Sequence, residues 1–183
     1  NAMTNLGFIY SYGRGVKQDF EKGRLYFETA AELGNSSAYN EIGNLYYYGV
    51  GVEQSYLKAK EFYEKSAELN NVDAINVLGY LYKSGKGVEL DYTKAREYFE
   101  KAVKMGQPNA HNNLGNIYLN GNGVPKDYLR AKELFKVSSK LGNARGSYLL
   151  ANLYFKGYEG IPQNYLKALK YYEKSAKFNN SDA

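Results

Sequence analysis

The chain has 183 residues, with 24 Lys+Arg against 19 Asp+Glu, 21 Tyr, one His and no Cys. Without cysteine there are no disulfides, thiolate zinc sites, iron–sulfur clusters or cysteine nucleophiles, and the lone His111 excludes multi-histidine metal centres. A net charge of +5 with both signs interspersed is not the footprint of a nucleic-acid binder, and no apolar run of about 18 residues is present to insert into a membrane.

Written in rows of 36 the chain comes into register, and a fixed period of that length marks a repeat architecture. Leu6-Gly7 returns as Ile42-Gly43, Leu78-Gly79, Leu114-Gly115 and Leu150-Ala151; Tyr10 returns as Tyr46, Tyr82, Tyr118 and Tyr154. Asn1 and Ala2 read as the remainder of a cleaved tag, so the first row covers 3–34. It enters a first helix partway, breaks at Gly13 and Gly15, and opens a second helix at Asp19. The second row, 35–70, predicts a first helix from about Ser37 to Tyr48, with Ala38, Ile42, Leu45 and Tyr46 on one face. Gly49 and Gly51 end that helix, and Ser55 starts the next. In the third row, 71–106, the second helix runs from Tyr92 to about Met105 and buries Ala95, Tyr98 or Phe99, and Ala102.

The fourth row, 107–142, puts Pro108 at the start of a helix, where its missing donor is not needed. The fifth, 143–183, carries one extra residue in Gly157-Tyr158-Glu159-Gly160, which a loop absorbs at little entropic cost. Ala183 falls at the opening of a sixth first helix, so the chain is expected to be a section of a longer array or to stack end to end on another copy. The column Asp19, Ser55, Asp91, Asp127 and Asn164 accepts hydrogen bonds from the free N–H groups of each second helix. Gly34, Asn70, Gly106, Gly142 and Asn179 close those helices. Glu61 with Lys65, Glu97 with Lys101 and Glu173 with Lys177 mark a solvated side. A helix pair of this size cannot bury its apolar face alone, so the rows are expected to stack as one all-α solenoid domain over 3–183.

The pattern Leu-Gly-x-x-Tyr-x-x-Gly-x-Gly-Val-x-x-Asp-x-x-Lys-Ala resembles the Sel-one-like repeat family, relatives of the tetratricopeptide repeats. Row three carries it as Leu78-Gly79, Tyr82, Gly85, Gly87-Val88, Asp91 and Lys94-Ala95. The resemblance implies a right-handed α-solenoid of five 36-residue helix-turn-helix repeats with the first helices lining the concave side. It implies a scaffold or adaptor role in protein–protein interaction, with other proteins or peptide segments as partners. One branch of the family staples each repeat with a cysteine pair, which this chain lacks.

With the core stripe removed, the first helices leave a face at Ser37, Asn40, Asn44, Tyr47 and Tyr48 in row two and at Asp73, Asn76, Tyr80, Lys83 and Ser84 in row three. Rows four and five add Asn109, Asn112, Asn116, Leu119, Asn120 and then Arg145, Tyr148, Asn152, Phe155, Lys156; row one adds Phe8, Ser11 and Tyr12. An asparagine amide offers both donors and an acceptor and can pair with any peptide backbone, while interleaved tyrosines add rigid contact area. In the tetratricopeptide relatives the matching face grips extended peptides. The resemblance carries that role to Asn40, Asn44, Asn76, Asn112, Asn116 and Asn152, with Phe8, Tyr12, Tyr47, Tyr80, Lys83, Tyr148 and Phe155 beside them.

Two other readings stand beside this one. Ser55-Tyr56-Leu57-Lys58 matches the Ser-x-x-Lys motif of penicillin-recognising hydrolases, but both residues sit in repeat columns that explain them as cap and helix surface. A spacer within a longer array is the other. His111 is expected at the boundary between groove and core, and nothing implies catalysis, a metal or a cofactor. The compartment is open: a cytoplasmic place fits, as does a periplasmic or secreted one after loss of a signal peptide.

Overall fold

A computed structural model describes residues 2–180, the side chains of 179 and 180 excepted. The described residues form ten α-helices and no strand: α1 (Ala2–Tyr12), α2 (Phe20–Glu32), α3 (Ser36–Tyr48), α4 (Tyr56–Glu68), α5 (Val72–Ser84), α6 (Tyr92–Lys104), α7 (Pro108–Asn120), α8 (Tyr128–Lys140), α9 (Ala144–Lys156) and α10 (Tyr165–Asn180). Odd-numbered helices are the first of each pair and even-numbered ones the second. The chain divides into two compact units, Asn1–Asp91 and Tyr92–Ala183. Within each unit every helix packs on its neighbours in chain order.

The second helices start as the sequence predicts. Asp19, Asp127 and Asn164 accept the backbone N–H three residues on at 2.8–2.9 Å, and Ser55 does so at 3.3 Å. The first helices are capped by Asn35, Asn71, Gln107 and Asn143. Gly49, Gly85 and Gly121 end first helices with φ between 65° and 73°, a conformation open to glycine without a Cβ penalty. Asn70 takes the same conformation at φ 59°. At Asn179 the structure corrects the reading: α10 runs on to Asn180, because asparagine permits a helix to end but does not force it. Ala183 lies outside the described residues.

In the first unit one core cluster is Phe27, Ala30, Ala31, Ala38, Ile42 and Leu45, with Phe8, Tyr39, Tyr46 and Phe62 packed against it, and Ile75, Leu78 and Leu81 of α5 are also buried. The Gly7 and Gly43 positions exist for close approach: a Cβ on Gly43 would lie 2.7 Å from two ring carbons of Tyr63, and one on Gly7 2.5 Å from Phe27. The second unit repeats the device with Gly115 against Phe135. In the third repeat it is Phe99, not Tyr98, that is fully buried. Ser66, Ser138 and Ser175 close the second, fourth and fifth pairs by donating to the carbonyls of Ser36, Pro108 and Ala144 at 2.7–3.0 Å.

The column of cations at Lys22, Lys58, Lys94, Arg130 and Lys167 is legible in the sequence as helix surface, but its contact is not. The cation three residues after each cap lies over the tyrosine of its own first helix: Lys22 on Tyr10 at 4.1 Å, Lys58 on Tyr46 at 5.4 Å, Arg130 on Tyr118 at 4.3 Å and Lys167 on Tyr154 at 5.3 Å. The lysines therefore recur because the tyrosines do. The outer side is solvated as expected, with Glu61, Lys65, Glu97, Lys101, Glu173 and Lys177 all exposed, and other residues form ion pairs. Arg24–Glu28, Lys60–Glu64 and Arg96–Glu100 pair four apart with the cation first, while Glu61 and Lys65 are both exposed and the Lys65 ammonium lies over Tyr39 and Phe62. Such pairs are worth only about 0.3–0.5 kcal/mol each, so their order is weakly selected.

Candidate functional site

The side of the first helices turned from their second-helix partners is the candidate site, and the structure sorts its predicted residues into three groups. Two asparagines leave the surface. Asn112 is 1% exposed and Asn40 9% exposed. The Asn112 Nδ2 donates to Asn143, the cap of the following first helix, at 2.9 Å, and Asn143 donates on to Asn109 at 2.9 Å. Asn35, the cap of α3, likewise donates to Thr4 of the same column at 3.2 Å. At Thr4 and Asn112 the column ties a first helix to the cap of the next, whereas Asn40 donates to Glu41 of its own helix at 3.3 Å. The expectation that Asn40 and Asn112 are free for a peptide is thereby corrected.

A second group is half-buried and holds second-helix tyrosines. The Tyr63 hydroxyl donates to Asn44 Oδ1 at 2.8 Å, and Tyr172 to Asn152 Oδ1 at 2.6 Å. Burial pushes the Tyr63 hydroxyl upward, which keeps it a donor. In the fourth repeat the partner position is Phe135, with no hydroxyl, and Asn116 makes no hydrogen bond among the described residues. Asn76 and Lys83 are half-buried on α5.

The third group is aromatic and open to solvent. Tyr12, Tyr48 and Tyr80 in the first unit, and Tyr148 and Phe155 in the second, are each 37–68% exposed. Neighbours hold their rings. Phe8 stacks on Tyr12 at 6.1 Å, Tyr148 leans on Tyr172 at 5.9 Å, and Phe155 meets Tyr165 edge-on at 5.5 Å. Tyr47 lies edge-on to Tyr48 and Tyr56, and its hydroxyl takes a hydrogen bond from the Lys86 ammonium at 3.1 Å. That bond raises Lys86 above its ordinary value, while partial burial raises Tyr47. Lys86 was missed because its column is Arg14, Val50, Lys86, Asn122 and Tyr158, which carries no period.

Ser55 serves the fold, because its Oγ accepts the Lys58 backbone N–H while the Lys58 ammonium goes to the Tyr46 ring. His111 is buried, and its Nδ1 donates to the Gln107 carbonyl at 2.9 Å. It lines an open recess of ≈ 500 Å³ with Val103, Leu134 and Val137; a broader one of ≈ 670 Å³ lies against Arg96, Lys126 and Arg130. Among the described residues no three His, Asp or Glu side chains are placed to hold a metal, and no helix is long and apolar enough to cross a membrane.

Capped helix pairs, double-glycine loops and small-residue contacts at period 36 define a helix-pair repeat protein of the α-solenoid class. The Sel1 repeat model matches residues 1–35, 36–71, 72–107, 108–143 and 144–177, so the chain belongs to the Sel1 repeat family. It is similar to a Sel1 repeat protein from Oxalobacter formigenes, at 32% identity and a TM-score of 0.88 over 96% of this chain and 70% of that one. It is also similar to an immunity protein from Pseudomonas aeruginosa, at 25% identity and a TM-score of 0.69 over 97% of this chain and 65% of that one. A second immunity protein from that organism, 18% identical with a TM-score of 0.71 over 98% of this chain and 67% of the other, shares the fold. No curated protein matches the chain. The family is one of protein-interaction scaffolds.

Proposed function

We propose that the protein is a non-catalytic scaffold that holds an extended segment of a partner protein along the open face of its first helices. The observation that carries this reading is the separation of its aromatic residues into two populations. The rings of Tyr63, Phe27, Phe99 and Phe135 fill the contacts between helices, whereas Tyr12, Tyr48, Tyr80, Tyr148 and Phe155 keep large parts of their rings in water on first helices; Tyr165, 60% exposed at the start of α10, is the exception and lies edge-on to Phe155. Burying such a ring on binding gains apolar area while fixing only two side-chain torsions, which is why tyrosine dominates recognition surfaces. Asn116 supports the reading as an amide without a hydrogen-bond partner among the described residues, and the Asn152 Nδ2 can serve the same way while its Oδ1 holds Tyr172. Asn40 and Asn112 drop out of the proposed contact set, and Asn44 acts mainly through the tyrosine that it holds.

The test is capture with the intact chain and with two variants. The first carries Tyr12→Ser, Tyr80→Ser and Phe155→Ser together; the second carries Leu33→Ser and Leu141→Ser at exposed ends of second helices. Partners retained by the second variant and lost from the first support the proposal. Equal recovery by both, with the melting temperature unchanged, rejects it.

A further inference from the structure

We propose that the recess between α1 and α3 receives one basic side chain, a lysine or arginine of the bound segment, against the carboxylate of Glu41. The inference rests on the first-helix face being the binding surface, and it names a ligand chemistry for one place on that face. The recess has a volume of ≈ 80 Å³ and is walled by Tyr12 and Tyr48, floored by Phe27 and Leu45, and edged by Glu41 and Asn44. That is room for the end of one side chain, against about 300–1,000 Å³ for a small-molecule site.

Three observations point to a cation. First, Glu41 is half-buried and its two oxygens take only amide hydrogen bonds, from Asn40 at 3.3 Å and Asn44 at 3.2 Å. No lysine or arginine of the described residues forms an ion pair with it. Burial pushes its carboxyl above the ordinary carboxylate range; the two amide bonds oppose this, and the neighbouring Asp73 carboxylate adds to it. A desolvated carboxylate without a counter-ion is unfavourable, and an arriving cation relieves it. Second, the walls are two well-exposed tyrosine rings, whose faces attract ammonium and guanidinium groups; the Tyr12 ring already has the chain's own Arg14 guanidinium 5.7 Å from its centroid, while the Tyr48 ring is open. Third, Glu41 does not belong to the repeat. Its column reads Asn5, Glu41, Val77, Asn113 and Leu149, so helix-pair packing has no need of a carboxylate there.

The test titrates the intact chain with three probes, the Nα-acetyl amides of lysine, arginine and norleucine, followed by backbone amide NMR shifts and the carboxyl shift of Glu41. The proposal expects shifts clustered at Ser11–Tyr12, Glu41–Tyr48 and Val50 with both basic probes, at least about tenfold weaker binding for norleucine, and a Glu41 carboxyl that titrates lower when lysine amide is bound. Glu41→Gln keeps the side-chain shape and removes the preference for the basic probes. Equal shifts with norleucine, or an undiminished lysine response in Glu41→Gln, overturn the proposal. A selection from a random peptide library separates this from the broader reading. Peptides that bind the face without a fixed basic position leave the scaffold standing and sink the receptor. No peptide binding, together with a Glu41-dependent lysine amide response, does the reverse.

Discussion

At the scale of the residue, the column position of an asparagine decides its work. Asn112 and Asn116 lie one helical turn apart on α7, yet the first is sealed against the cap of α9 and the second has no hydrogen-bond partner among the described residues. Both fall on the polar side of a helix by period, and period alone cannot tell solvent from the polar seam between adjoining repeats. At the seam it is the cap Asn143 that both accepts, from Asn112, and donates, to Asn109, while the buried Oδ1 of Asn112 has no partner among the described residues. Gly43 is the sharper case. The place of its missing Cβ is occupied by the Tyr63 ring, so Gly43→Ala is expected to destabilise the fold by about 1–3 kcal/mol in a denaturant melt. The fifth repeat already carries Ala151 there, and Tyr172, the counterpart of Tyr63, is only half-buried; Ala151→Gly, inside α9, is expected to cost about 1 kcal/mol through the helix alone. Ser55→Ala loses a cap and is expected to lower stability by about 1 kcal/mol. A fluorescent penicillin is expected to leave the intact chain unlabelled; labelling lost in Ser55→Ala would revive the hydrolase reading.

Glu41 adds a pH dependence whose sign follows from its raised carboxyl. Below the unfolded value, about 4.3, the group is protonated in both states and contributes no penalty. As pH rises through the folded value, the native state must ionise a desolvated group that the unfolded chain ionises freely, so stability is lost. Glu41→Gln is therefore expected to gain in melting temperature relative to the parent as pH goes from about 4 to 7. A difference that is flat with pH would place Glu41 in ordinary solvent.

At the scale of the element, the double-glycine loop shows how a repeat tolerates change. In the first four repeats the residue after the helix-ending glycine donates back to the first helix, as Val50 does to Leu45 and Asn122 to Ile117 at 3.0–3.1 Å. The fifth loop, one residue longer, bends on itself instead: Tyr158 and Ile161 exchange two hydrogen bonds of 2.8 Å, and Asn164 still reaches Tyr154 at 2.7 Å. The extra residue is absorbed before the second helix begins, so its register is kept. Deleting the exposed Glu159 restores the Gly-x-Gly spacing of the other loops and is expected to shift stability by about 1 kcal/mol or less. Deleting one residue within α9 should unfold the repeat, since every side chain beyond it would turn by about 100°.

This contrast explains how much was legible in the sequence. The caps, the breaks and the helix ends were readable because each depends on a local residue type at a fixed offset: Asp19, Ser55, Gly49 and Gly85 behave as their chemistry requires. The cation lying on each first-helix tyrosine was not, because it joins two columns that only the packed pair brings together. The Glu41 recess was out of reach for the same reason. It is made by residues from α1, α2 and α3, and the residue that sets its chemistry breaks the pattern instead of following it.

At the scale of the whole molecule, the repeats are built alike and the open side of the first helices is where they differ. Residues kept in every repeat at period 36 serve capping and packing, while the Tyr12 and Tyr48 column turns to Ser84, Asn120 and Lys156 in later repeats and Glu41, Tyr148 and Phe155 break their columns. In a repeat array each unit leans on its neighbours, so stability accumulates with length; a chain ending at Gly142 is expected to fold and to melt below the full chain. Function, in this account, is carried by the surface left uncovered. The most direct measurement is backbone hydrogen exchange on the full chain, alone and with a partner recovered by capture. The account predicts added protection at the C-terminal turns of α1, α3, α5 and α9, where the open aromatic residues stand, with the second helices unchanged. Protection confined to α2, α4, α6 and α8, or to the glycine loops, would contradict it.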